Sequence, residues 1–161
     1  MLIKLTGALL FAWMTLALAG AVAAGERRRY ASLRSLLRLL RFMRAEIAFA
    51  LTPVPEICAR FRDEELEACG FLAKLREAGL LPALTAYREA LGLREEEVLL
   101  LSTLAREMGR GYREAELSLL DRNIEALASL CEEVRERLPG RIRLSRTLLL
   151  SGGAAVILFF L

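Results

Sequence analysis

Two uncharged hydrophobic segments occupy the two ends of this chain, and each has arginines on the side that faces the middle. The first segment covers residues 5–24 and is followed by Arg27, Arg28 and Arg29. The second covers residues 147–161 and is preceded by Arg141, Arg143 and Arg146. Because about 20 apolar residues in a helix span the hydrocarbon core of a bilayer, the pattern predicts two transmembrane helices with flanking arginines.

Positive flanks stay in the cytoplasm, so these arginines place the intervening residues on the cytoplasmic side. We therefore predict a transmembrane helix over residues 1–24, a cytoplasmic helical bundle domain over residues 25–143, and a second transmembrane helix over residues 144–161. The second uncharged run alone reaches only ~22 Å as a helix, so the residues just before it must contribute to the span.

A cleaved signal peptide is the competing interpretation of the first segment. Ala21-Val22-Ala23 resembles a signal-peptidase site, and cleavage after it would leave a C-terminally anchored, extracytoplasmic helical adaptor. Only Lys4 and the terminal amine precede the apolar run, whereas three consecutive arginines follow it. That charge distribution favours a retained membrane helix.

The net charge of +3 and the isoelectric point near 9.0 raise the question of nucleic-acid binding. Residues 25–50 carry about +5, residues 51–131 about −5, and residues 132–146 about +2. The positive charge therefore adjoins the apolar segments, and the body of the domain is acidic. Since nucleic-acid binding needs a basic patch on the domain itself, we expect no nucleic-acid partner.

Apolar residues between the two segments recur every three or four positions, which is the period of an α-helix. The pattern predicts helices over about 26–51, from 55, over 66–78 and 82–91, from 95, and over 112–138. The predicted breaks are proline or glycine positions: Thr52-Pro53-Val54-Pro55, Gly79, Gly92, Gly109-Arg110-Gly111 and Pro139-Gly140. The fold class is therefore all-α, an antiparallel helical bundle between two transmembrane helices.

Two short segments are candidates for binding a partner. One is Glu95, Glu96 and Glu97, three carboxylates at a predicted helix start, where the helix dipole also favours negative charge. The other is the glycine-containing loop of Gly109, Arg110, Gly111 and Tyr112. The predicted helix over 112–138 is long for so small a domain, so part of its leucine stripe is a further candidate, with packing inside the bundle as the alternative.

The residues needed for catalysis or for a cofactor are not found in the sequence. There is no histidine, and the two lysines, Lys4 and Lys74, do not follow a glycine-rich phosphate loop. Cys58, Cys69 and Cys131 form no C-x-x-C pair, so we interpret them as small apolar core residues. We expect a protein that is not an enzyme and that binds no metal or cofactor.

Several stretches resemble the stage III sporulation protein AB family, and the resemblance covers essentially the whole chain. They are the opening residues 1–10, the Thr52-Pro53-Val54-Pro55-Glu56 element after an arginine- and leucine-rich helix, residues 104–116, and Leu148-Leu149-Leu150-Ser151-Gly152-Gly153. One departure is visible. Where family members have Gly-x-Ser-Asp-x-x-Gly-Gln, this chain has Gly109-Arg110-Gly111-Tyr112-Arg113-Glu114-Ala115-Glu116.

That family is similar to the F-type inner-membrane platform proteins of type II secretion. The resemblance implies a non-enzymatic platform subunit of the sporulation channel complex between mother cell and forespore. The implied partners are a cytosolic secretion-type ATPase (stage III sporulation protein AA) and other membrane subunits of the channel. Self-association into a homo-oligomer is compatible with the resemblance. The implied location is the mother-cell-derived membrane around the forespore, with the polar domain in the mother-cell cytoplasm. No catalytic residues come with the family.

Overall fold

The structure is a computed structural model that describes the backbone of residues 2–50, 52–109 and 111–160. It describes the side chains of residues 13, 14, 17, 20–50, 52–109 and 111–138. Every regular element in the described chain is a helix, which confirms the all-α prediction. The helices are α1 (Leu2–Phe49), α2 (Val54–Arg60), α3 (Glu64–Ala68), α4 (Phe71–Ala78), α5 (Leu80–Tyr87), α6 (Glu95–Glu107) and α7 (Arg113–Phe160).

The chain divides into two compact units. One, called here the terminal unit, consists of the two ends of the chain, Met1–Arg27 and Glu133–Leu161. The other, the central unit, is Arg28–Glu132. The central unit contains the five short helices α2–α6 together with the second half of α1 and the first part of α7.

The core of the central unit follows the helical periodicity of the sequence. On α1, the predicted apolar stripe is buried from Leu33 to Ile47, whereas Arg34, Arg38 and Arg41 on the other side are exposed. The core is completed by buried side chains from all six other helices: Ile57, Leu66, Phe71, Leu72, Leu75, Leu84, Leu101, Leu104, Leu120 and Leu127. The central unit is therefore a leucine-rich helical bundle.

Helices end as the sequence predicts just before Pro53 and at Gly79. The helix predicted over 82–91 is wrong at both ends, because α5 runs over Leu80–Tyr87 and a turn connects it to Gly92. Helix α1 ends at Phe49, just before Thr52-Pro53, because proline excludes the helical conformation from its predecessor. The chain restarts at once as α2, which has a proline in its first turn and buries Ile57 and Cys58. Gly79 and Gly92 both have a positive φ, a conformation that ends helices readily only at glycine.

The predicted single helix over 66–78 is wrong, because the chain turns at Gly70. Its φ of 83° separates α3 from α4. Helix α3 begins earlier than predicted because the side chain of Asp63 accepts a hydrogen bond from the amide of Leu66, at 3.2 Å. A Cβ on Gly70 would lie 3.1 Å from the hydroxyl oxygen of Tyr87, so the corner is closely packed as well as left-handed.

Helix α7 is longer than predicted at its C-terminal end. The sequence predicts a break at Pro139-Gly140, but the backbone is helical from Arg113 to Phe160. A proline inside a helix removes its own N–H donor and crowds the carbonyl four residues earlier, and here the helix continues in spite of that cost. In the central part of the predicted stripe, the side chains of Leu120, Leu127, Cys131 and Val134 are buried. That part of the stripe therefore packs inside this chain.

The predicted membrane segments lie in the terminal unit, where the backbone is helical. Most side chains of residues 5–24, and all of those of residues 144–161, lie outside the described residues. Those that are described near the start include the exposed Trp13, Met14 and Val22. In the portion of the chain that the structure describes, neither long helix contains a stretch apolar enough to cross a membrane.

Candidate partner-binding site

The three glutamates that open α6 have two different environments. All three lie in the first turn, next to the positive end of the helix dipole. Glu95 and Glu96 are exposed, whereas the side chain of Glu97 is 0% exposed. Of the predicted acidic partner site, the structure therefore leaves Glu95 and Glu96 on the surface and places Glu97 in the interior.

Glu97 is held by an ion pair with Arg29, a residue 68 positions earlier on α1. The Arg29 Nε donates to Glu97 Oε1 at 2.9 Å, and Nη2 donates to the same oxygen. The second carboxylate oxygen accepts from the backbone amide of Arg94 at 2.7 Å, which satisfies an amide at the start of α6. Both oxygens of Glu97 are thus occupied within the chain.

The burial of Arg29 separates it from the other predicted membrane-flanking arginines. Arg29 is 6% exposed, and its guanidinium is directed to α6. Arg27 and Arg28 are exposed. The side chains of Arg141, Arg143 and Arg146 lie outside the described residues.

Cys131 on α7 lies in the electrostatic environment of this pair. Burial raises the pKa of the Cys131 thiol from an ordinary 9.0 to about 11, and the negative charge of Glu97 acts in the same direction. Burial also raises the pKa of Cys58. Such thiols are neutral near pH 7 and weakly reactive, in keeping with their interpretation as core residues. The arginine end of the central unit is the name used here for Arg29, Glu97 and Cys131.

The second predicted partner site is the loop between α6 and α7. Gly109 has a φ of 82°, and nothing lies within 4 Å of the position where its Cβ would be. Arg110 lies outside the described residues, and Gly111 is exposed. Tyr112 is 92% exposed, the highest value among the large apolar side chains described as exposed. The loop therefore presents a free aromatic ring.

Two contacts place this loop beside the C-terminal end of α1. Arg113 donates from Nε to the carbonyl of Ile47 at 3.3 Å and from Nη2 to the carbonyl of Ala48. Further along, Arg44 forms a two-pronged ion pair with Asp121, including an Nη2–Oδ2 distance of 3.1 Å. In the central unit, α1 and α7 are therefore antiparallel neighbours, as their direction in the sequence predicts.

This arrangement brings a second exposed aromatic residue, Phe49, to the same end of the bundle as Tyr112. Phe49 is 89% exposed. Phe49 is not among the predicted partner residues, although the sequence holds a signal for it. It lies outside the three–four apolar stripe that includes Ile47, and the helix-ending Pro53 follows four residues later. Phe49 and Tyr112 together are called here the aromatic tip.

An open groove of about 600 Å³ lies between α1 and the start of α3. Arg34 and Arg38 line its α1 side, and Asp63, Glu64 and Glu65 line the other. Arg38 Nη2 lies 2.6 Å from Asp63 Oδ2, and that carboxylate is nearly buried. The two sides of the groove thus carry opposite charges and are already linked by one ion pair.

The described side chains include no group of three histidine, cysteine, aspartate or glutamate residues placed to hold a metal ion. Each buried polar side-chain atom in this part of the chain has a hydrogen-bond partner. The surfaces described above present ion pairs, hydrogen bonds and exposed aromatic rings.

The fold defines the class, an all-helical protein, and the comparison with protein families defines it further. The family model for stage III sporulation protein AB matches residues 4–161. The chain belongs to the stage III sporulation protein AB family. No curated protein matches the chain, and neither does any solved structure.

Proposed function

We propose that this protein is a non-enzymatic membrane platform subunit of the sporulation channel complex between mother cell and forespore, and that a cytosolic secretion-type ATPase docks on its central unit. Membership of the stage III sporulation protein AB family supports a role in stage III of sporulation. The platform role, the ATPase and the location in the mother-cell-derived membrane follow the resemblance of that family to secretion platform proteins.

The observation that carries the proposal is the division of the chain. Both ends, which hold the uncharged apolar segments, belong to one compact unit, and residues 28–132 form a separate helical unit. This division suits a hairpin in which two membrane helices pair and the polar residues between them fold on one side. The exposed apolar side chains of Trp13, Met14 and Val22 also suit a helix surrounded by hydrocarbon.

The protein acts in this proposal by binding. The sequence offers no histidine and no phosphate-binding loop, so the energy for transport comes from the ATPase. The subunit holds that ATPase at the membrane, beside the other channel subunits. The exposed Glu95 and Glu96 and the aromatic tip are the surfaces available for this contact.

Reporter fusions test the topology directly. A reporter active only in the cytoplasm, fused after Gly140, should be active, and the same reporter fused after Leu161 should be inactive. N-terminal sequencing of the native protein should return Met1 or Leu2. An N-terminus at Ala24, together with an inactive Gly140 fusion, would rule out the membrane hairpin and favour the alternative, a C-terminally anchored extracytoplasmic adaptor.

A binding measurement tests the partner. The full chain, reconstituted in lipid nanodiscs, should bind the purified ATPase with a dissociation constant below about 10 µM, as a transient but specific interface does. Empty nanodiscs are the control. Failure to associate at roughly 50 µM, with both proteins folded, would remove the docking proposal.

A further inference from the structure

We propose that the aromatic tip, Phe49 with Tyr112, is the docking site of the cytosolic ATPase, which receives both rings in an uncharged apolar pocket. The inference rests on the proposed function, because it names the surface that the partner proposed there would use. Neither ring is needed by the fold of the central unit, since each is about 90% exposed.

The exposure of these two rings is unusual within the central unit. Among its described large apolar side chains, three are strongly exposed: Phe49, Leu99 and Tyr112. Two of the three lie at this tip. Aromatic rings contribute large contact areas at a small entropic cost, and tyrosine is enriched among the residues that dominate binding energy. A pair of them at one end therefore indicates an interaction surface.

The tip is also organised before any partner arrives. The guanidinium of Arg113 donates to the carbonyls of Ile47 and Ala48, two residues and one residue before Phe49, and Arg113 itself follows Tyr112. The Arg44–Asp121 ion pair fixes the same two helices further along. Binding to a surface that is already ordered loses less conformational entropy, which favours affinity.

The charges around the tip indicate what kind of surface fits it. Arg44 is paired with Asp121, and Arg113 is engaged by backbone carbonyls. Glu46 accepts from Arg60 at 2.8 Å and from Thr52 at 3.1 Å. A partner that brought a charge onto the rings would find these groups already occupied, so the complementary surface there is uncharged. Glu114, exposed and next to Arg113, belongs to the polar rim.

The partner is a cytosolic protein because both rings belong to the central unit, which the proposed topology places in the cytoplasm. Neither ring lies in a predicted membrane segment. A protein in the cytosol can therefore reach both.

The test compares variants of the full chain in nanodiscs against the purified ATPase. Phe49→Ala and Tyr112→Ala should each weaken binding about tenfold, and the double variant should bind more weakly than either. Leu99→Ala is the matched control, because Leu99 is an exposed apolar residue (68%) on α6 and should bind as the wild type does. Raising the salt from 50 to 500 mM should change the wild-type affinity less than about threefold.

Each other outcome has a defined meaning. If the wild type binds and both alanine variants bind equally well, the aromatic tip is not the dock, while the proposed function stands. If a Glu95→Ala, Glu96→Ala double variant abolishes binding instead, the docking site is the exposed acidic first turn of α6, and the inference is overturned. If the wild type does not bind the ATPase, the proposed function fails and this inference with it. If the tip variants change the oligomeric state in analytical ultracentrifugation without the ATPase, the tip binds a second copy and the inference is overturned.

Discussion

The two ends of the central unit hold α1 to its neighbours in opposite ways. At the arginine end, Arg29 and Glu97 form an ion pair that is almost completely buried and whose carboxylate has no free oxygen. At the other end, Arg44 and Asp121 are each nearly half exposed, and the aromatic tip is open to solvent. The first end is built from interactions that water cannot replace, whereas water can replace those of the second.

The comparison indicates where stability and binding reside in this molecule. A buried ion pair that loses one partner leaves an uncompensated charge, so the arginine end should control the free energy of unfolding. Exposed rings contribute little to folding and are available to a partner. Substitutions at the two ends, made in the full chain in detergent micelles or nanodiscs, can measure this difference.

The largest expected effect is that of Glu97→Ala. It leaves the Arg29 guanidinium buried without its carboxylate, so the free energy of unfolding should fall by about 3–5 kcal/mol, measured by denaturant titration with circular dichroism. The double variant Arg29→Met, Glu97→Leu is the control. It removes both charges and should recover most of the loss. Equal stability of Glu97→Ala and the wild type would contradict the contrast between the two ends.

Next in size is a pH effect at Cys131. Its pKa rises from 9.0 to about 11 on folding, so the neutral thiol is favoured in the folded state. The contribution of this thiol to the free energy of unfolding is therefore fully retained below pH 9 and is lost as the pH rises from 9 toward 11. Relative to Cys131→Ala, the wild type should lose about 1–2 kcal/mol between pH 8 and pH 10.5 under reducing conditions, because solvent screens part of the effect. Parallel pH profiles for the two proteins would disprove the assignment.

A smaller effect is expected for Arg113→Ala. The substitution removes the donors that join α7 to the carbonyls of Ile47 and Ala48, so the stability should decrease by about 1 kcal/mol. Hydrogen exchange of the last turn of α1 should also accelerate. Arg113→Lys keeps the charge but loses the planar fork, and it should restore only part of the protection. Unchanged exchange in both variants would mean that the contact does not order the tip.

The smallest effect is expected at the exposed pair. The hydrogen bond from Arg44 lowers the pKa of Asp121 below its ordinary 3.8, so the pair contributes at neutral pH and is lost as the pH falls through that lower value. Asp121→Asn should therefore lower the melting temperature slightly at pH 7 and not at pH 2. In 0.5 M salt the difference at pH 7 should shrink. A loss as large as that of Glu97→Ala would remove the distinction between the two ends.

The helices of the central unit were largely predictable, because local chemistry determines them. Proline at residue 53 and glycine at residue 79 act on their own backbone, and the apolar stripe of α1 needs only the helical period. The break at Gly70 was not predicted, since an isolated glycine inside an apolar helical pattern is also compatible with a continuous helix. The Asp63 cap and the packing against Tyr87 decide it.

The site residues were less predictable, because their roles depend on contacts between distant segments. Arg27, Arg28 and Arg29 look alike in the sequence, and so do Glu95, Glu96 and Glu97. One member of each set is buried against the other across 68 residues, and nothing local distinguishes it. Tyr112 was among the predicted partner residues, but Phe49 joins it only through the contact of Arg113 with the end of α1.

The corner at Gly70 has a consequence for how this sequence can vary. Any other residue there meets two obstacles together, a left-handed backbone at φ 83° and the Tyr87 hydroxyl 3.1 Å from its Cβ. Gly109, with a similar φ of 82°, has open space around it and meets only the first. In a library of random codons selected for folded protein, glycine should be retained almost invariantly at position 70, while asparagine and aspartate should survive beside glycine at position 109.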